Sequence, residues 1–109
     1  MAASGASKGK RAERRIAHEL GGKRTGNTGR ASPDVTAGGF LVVEVKERAA
    51  LPAWLKRAMG QATAAAGPGE LPAAVLHETG QAYGQSLVLL RLCDFQAWLV
   101  ASHETPKDP

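Results

Sequence analysis

Asp34, Glu44 and Lys46 are the residues whose types and spacing best suit chemistry in this chain of 109 residues. They fall in Pro33-Asp34-Val35-Thr36-Ala37-Gly38-Gly39-Phe40-Leu41-Val42-Val43-Glu44-Val45-Lys46, an acid, a glycine turn and an apolar run ending in Glu-Val-Lys. In an extended strand successive side chains alternate faces, so Phe40, Val42, Glu44 and Lys46 line one side and Leu41, Val43 and Val45 the other. Charges at the end of such a strand must reach a cleft or a partner, because an unpaired charge in a dry setting costs on the order of several kcal/mol. Two or three carboxylates around one point, with no histidine or cysteine among them, form a hard oxygen site suited to Mg2+ or Mn2+. A lysine on the same face adds the means to offset charge during phosphodiester hydrolysis.

The turn decides whether Asp34 joins Glu44. A two-residue loop, Gly38-Gly39, would set Asp34 opposite Val43 and turn it away. A three-residue loop, Ala37-Gly38-Gly39, pairs Thr36 with Phe40 and Asp34 with Val42, which brings Asp34 diagonally beside Glu44 on one face. The latter register is expected.

Other elements must hold this hairpin in place. A helix is expected from Lys8 to Leu20, capped by Ser7 and closed by Gly21-Gly22. Its apolar stripe is Ile16, Ala17 and Leu20, and Glu13 falls on that stripe, while Arg11, Arg14, Arg15 and His18 occupy another face. The glycine-rich, basic stretch from 21 to 32 includes a short edge strand at Lys23 to Thr25 and offers amides and guanidinium groups to phosphates. It lacks the spacing of a nucleotide-triphosphate loop.

Beyond the hairpin, Pro52 starts a helix running to Ala66, with Leu51, Trp54, Leu55, Ala58, Ala62 and Ala65 as its core stripe. Strands follow at 72–77 and 86–91, joined by a turn over 79–84, and a last helix begins near Asp94 with Phe95, Trp98 and Leu99 on one side. The order predicts an α/β fold, a mixed sheet covered by helices, in which a right-handed crossover joins the strand bearing Glu44 to the next. A single domain is expected over 8–101, with flexible ends at 1–7 and 102–109.

The net charge is +4, but residues 1–30 carry eight Lys or Arg against Glu13 and Glu19, a local +6, and the remainder sums to −2. Such asymmetry suits a polyanionic partner. No apolar run is long enough to span a bilayer and the N-terminus lacks a signal-like stretch, so a cytoplasmic location without membrane contact is expected. One cysteine, Cys93, excludes an internal disulfide and a cysteine-based zinc cage; it reads as a small residue near a helix start.

Pro33-Asp34, nine intervening residues, Glu44-Val45-Lys46 and the upstream helical Glu13 together resemble the PD-(D/E)XK nuclease superfamily. Within it, the small size, the opening Lys8-Gly9-Lys10-Arg11-Ala12-Glu13-Arg14 and the Gly/Ser/Arg-containing loop before Pro33 resemble the archaeal-type Holliday junction resolvases and their phage and bacterial relatives, over about residues 8–100. The resemblance implies a restriction-endonuclease-like mixed sheet flanked by helices, with an αβββαβ core. It further implies that Asp34, Glu44 and the backbone carbonyl of Val45 bind Mg2+ or Mn2+, that Glu13 does so directly or through water, and that Lys46 is the catalytic lysine. Ser32 lies where the resolvases place a small polar loop residue, and Gln61 where many relatives place a polar residue near the site.

The implied activity is structure-specific DNA cleavage in recombination or repair, by a homodimer with two active sites on a four-way junction. Expected DNA contacts are Lys8, Lys10, Arg11, Arg14, Arg15, Lys23, Arg24, Asn27, Arg30, Ser32 and Gln61. Two other readings stand beside this one: a nuclease of the same chemistry that nicks or cuts linear or damaged DNA, and a basic DNA-binding module without catalysis. His18, His77 and His103 match no part of the pattern and read as surface or rim residues.

Overall fold

The computed structural model describes residues 5–25 and 33–103, with side chains from 9 to 25 and from 33 to 102. It is a mixed α/β protein of three helices and small antiparallel sheets, arranged as two compact units, residues 1–49 and 50–109.

The first unit begins with α1, Gly5–Leu20. It starts before the expected Lys8, so Ser7 lies inside the helix instead of capping it. The side chains of Glu13, Ile16, Ala17 and Leu20, spaced to share one face, are the less exposed ones, and Arg11, Arg14, Arg15 and His18 are exposed. The helix ends on Gly21, at φ 64°. There the amide of Gly21 donates to the carbonyl of His18 at 3.1 Å and that of Gly22 to Ala17 at 2.8 Å, the paired bonds of a Schellman motif. Gly22 has a second reason to lack a side chain: a Cβ there would collide with the carbonyl oxygen of Thr36 and the Cβ of Ala37. The helix is therefore closed and laid against the sheet by two adjacent glycines.

That sheet has the order β1-β2-β3, with β1 Lys23–Arg24, β2 Val35–Ala37 and β3 Leu41–Val43, all antiparallel. Helix α1 packs on β1 and β2. Val35 and Ala37 of β2 are buried together with Ala17 of α1, and Val35 is wholly inaccessible.

The hairpin corrects the expected register. Ala37 pairs with Leu41, Thr36 with Val42 and Val35 with Val43. The loop holds three residues, as expected, but they are Gly38, Gly39 and Phe40. The physical reason lies in the glycines: at φ 64° and 77° they occupy the two central positions of a tight turn from Ala37 to Phe40, leaving Ala37 in the strand. The alignment moves by two residues against the expected one, so facing is preserved.

The second unit contains α2, Ala53–Ala65; a hairpin of β4, Ala74–Leu76, and β5, Leu87–Leu89; a 3-10 turn at Tyr83–Gln85; and α3, Leu92–His103. Pro52 precedes α2 as expected. Its inward side chains are Leu55, Ala58, Met59 and Ala62, with Met59 buried; Leu51, Trp54 and Ala65, expected in that stripe, are exposed, Trp54 by 55%. Spacing places residues on a common helix face, but only a neighbouring element can cover it. Trp98 of α3 is likewise half exposed, whereas Phe95 and Leu99 are less so. Among the described residues every strand pairing is antiparallel, and no parallel crossover partner for β3 appears.

Candidate functional site

The last aligned pair of the hairpin is Val35 with Val43, so Asp34 and Glu44 are the residues just beyond it on the two chains. Burial along the strand alternates as the sequence pattern requires: Leu41, Val43 and Val45 are partly covered, while Val42, Glu44 and Lys46 are exposed. Thr36, aligned with exposed Val42, lies on the open face, opposite the face where Val35 and Ala37 are buried.

The regular ladder stops here. The amide of Asp34 donates to the carbonyl of Val43 at 2.9 Å, one residue out of register, and the amide of Val45 donates to Asp34 Oδ2 at 2.8 Å. A side-chain carboxylate thus replaces the next backbone acceptor. This ends β3 and fixes the carboxylate of Asp34 beside the Glu-Val-Lys segment. On the other flank, the carbonyl of Asp34 accepts from the amide of Thr25 at 3.0 Å, and the Thr25 hydroxyl donates to the carbonyl of Pro33.

Lys46 Nζ lies 3.6 Å from Glu44 Oε2, with both side chains more than half exposed. An exposed pair of this kind contributes about 1 kcal/mol or less, so either partner exchanges readily for an incoming charge. Lys46 also lines an open cleft of about 670 Å³ with Gly9, Arg11, Val45, Glu47, Arg48 and Ala49. Three cations against one carboxylate make it a place for anions. Arg48 is not among the expected contacts; it lies two residues past Lys46, beyond the end of β3.

Glu13 is held by an arginine. Arg24 Nε donates to Glu13 Oε2 at 2.6 Å, and the two side chains are only 20% and 25% exposed. Arg24 aligns with Val35 and therefore sits on the α1 side of the sheet, whereas Lys23 aligns with Thr36 on the open side. Among the described residues no group of three His, Cys, Asp or Glu converges as a metal cage.

The remaining expected contacts are distributed as follows. Lys10, Arg11, Arg14 and Arg15 are exposed on α1, Arg15 pairing with Glu19 at 3.6 Å, and Lys23 is exposed on β1. Gln61 is exposed on α2, in the second unit. Asn27, Arg30 and Ser32 lie outside the described residues, as does the side chain of Lys8. Cys93 is a free, exposed thiol in the first turn of α3. His77 Nε2 is 2.8 Å from the carbonyl oxygen of Gln81, and its ring stacks on Tyr83 at 4.2 Å between centroids. Among the described residues no helix is long and apolar enough to cross a membrane.

No protein-family model, curated protein or solved structure matches this chain.

Proposed function

We propose that this chain is a metal-dependent endonuclease of the PD-(D/E)XK kind, acting on branched DNA as a Holliday junction resolvase. The observation that carries the reading is the Asp34 carboxylate bound to the amide of Val45, between Glu44 and Lys46, with Lys46 entering a cleft shared with Arg11 and Arg48. The restriction-endonuclease-like core and the homodimer belong to the same proposal.

The donor set suits a hard divalent ion, because Mg2+ retains several waters and needs only one or two protein carboxylates besides substrate phosphate. Asp34, Glu44 and the carbonyl of Val45 would hold it, and the bound ion would supply Lewis-acid polarisation and a water of lowered pKa. The chain's own groups do the rest. The Val45 amide orients Asp34 through Oδ2. Lys46, held only loosely by Glu44, is free to turn toward a phosphate and offset charge developing there. Arg11 and Arg48 bind the flanking backbone along the cleft without reading sequence.

The decisive experiment presents four-way junctions, linear duplex and single strands to the protein in Mg2+, Mn2+ or EDTA, with Glu44→Ala as control. Symmetrical, metal-dependent cutting confined to the junction supports resolution. Equal cutting of linear duplex points to a nicking or repair nuclease, and binding without cutting in any metal to a non-catalytic DNA-binding module.

A further inference from the structure

We propose that Glu13 is a positioning residue for Arg24, and that it acts on DNA affinity through that guanidinium instead of completing the metal site. This inference rests on the DNA-binding part of the reading above. The geometry of the pair carries it. Glu13 sits on the inward stripe of α1, and its Oε2 takes the Nε hydrogen of Arg24 at 2.6 Å. A carboxylate bound at Nε fixes the plane of the guanidinium and leaves the donors on the two terminal nitrogens to serve another acceptor. Among the described residues those nitrogens have no partner.

Arg24 is also placed to use them. It is the last residue of β1, and the amide of the following Thr25 is tied to the carbonyl of Asp34 at 3.0 Å. The arginine is therefore anchored one residue away from the strand that carries the candidate catalytic carboxylate. A planar fork held rigidly at that spot suits a phosphate oxygen pair, which a charged but unrestrained side chain would meet less well. Arg24, aligned with buried Val35, faces the α1 side of the sheet with Glu13, whereas Asp34 is held by the Val45 amide, so the pair is a device separate from the Asp34 carboxylate.

The test turns on a sign. Removing a carboxylate near a polyanion should tighten DNA binding by simple electrostatics. If Glu13 positions Arg24, Glu13→Ala instead weakens binding of a short DNA duplex, roughly fivefold, and lowers the salt dependence by about one counterion. Arg24→Lys, which keeps the charge but loses the Nε contact and the fork, should weaken binding similarly. Combining the two changes should add nothing further, and Glu13→Gln, which retains an acceptor, should recover much of the affinity. Mn2+ binding without DNA should be lost in Glu44→Gln and retained in Glu13→Ala, and circular dichroism melts confirm that each variant is folded.

Tighter or unchanged duplex binding in Glu13→Ala, or additive losses in the double variant, overturns the inference while leaving the DNA reading intact. Loss of Mn2+ in Glu13→Ala to the same extent as in Glu44→Gln overturns it in favour of a ligand role. Failure of the unaltered protein to bind duplex in a salt-dependent way removes the DNA reading and this inference together.

Discussion

Asp34 accepts the backbone amide of Val45 at 2.8 Å, so one carboxylate both terminates the central hairpin and stands at the candidate reaction face. The two tasks separate chemically. Asp34→Asn keeps an oxygen acceptor for Val45 and should melt near the unaltered protein while failing to cleave. Asp34→Ala leaves that amide unpaired and should lose about 1–3 kcal/mol as well, measured by urea unfolding.

Glu44 has no comparable structural duty, being more than half exposed and, among the described residues, paired with Lys46 alone. Glu44→Ala should leave stability within about 0.5 kcal/mol of the original, as surface substitutions usually do. Cleavage should disappear, and junction affinity should hold or rise because a negative charge has been taken from the phosphate's path. Weaker binding in a gel-shift titration would contradict this.

The cleft around Lys46 predicts an electrostatic signature. Arg11→Ala and Arg48→Ala should each weaken binding to all DNA sequences alike and reduce the slope of log affinity against log salt by about one. A slope in both variants equal to that of the unaltered protein would remove the cleft from the DNA path.

Two glycines make separable predictions about the scaffold. Gly39 has φ 77° with open space where a Cβ would go, so Gly39→Ala tests backbone strain alone and should cost about 1 kcal/mol. At Gly22 the added carbon would meet the carbonyl of Thr36 and the side chain of Ala37, so Gly22→Ala forces α1 away from β2 and should cost about 1–3 kcal/mol. Thermal melts that rank Gly39→Ala as the more damaging would refute this account of helix seating.

Local patterns made much of this arrangement legible before any coordinates. Alternation from Phe40 to Lys46 assigned faces correctly because a strand's period is fixed by its pleat, and the glycine pair after Leu20 marked a helix end for a conformational reason. Sequence alone misplaces the turn by one residue because Ala37-Gly38-Gly39 and Gly38-Gly39-Phe40 are both plausible three-residue loops, and only the two left-handed backbones decide between them. Spacing alone puts Trp54 in a core because it reports which residues share a helix face and says nothing about what covers it. The bond between Glu13 and Arg24 joins side chains eleven positions apart and depends on how α1 lies on β1, which no window of sequence contains.

Buried apolar side chains are few among the described residues: Ala17, Val35 and Ala37 in the first unit and Met59 in the second. In a chain of this length, a modest change in free energy moves the melting temperature by several degrees, about 4 °C or more per kcal/mol. A ligand present at a hundred times its dissociation constant adds about 2.7 kcal/mol to the folded state. Folding itself therefore becomes a sensor: a divalent ion or a DNA branch that engages the native protein should raise its melting point by roughly 10 °C, and a plain thermal scan can rank candidate ligands before any cleavage is measured.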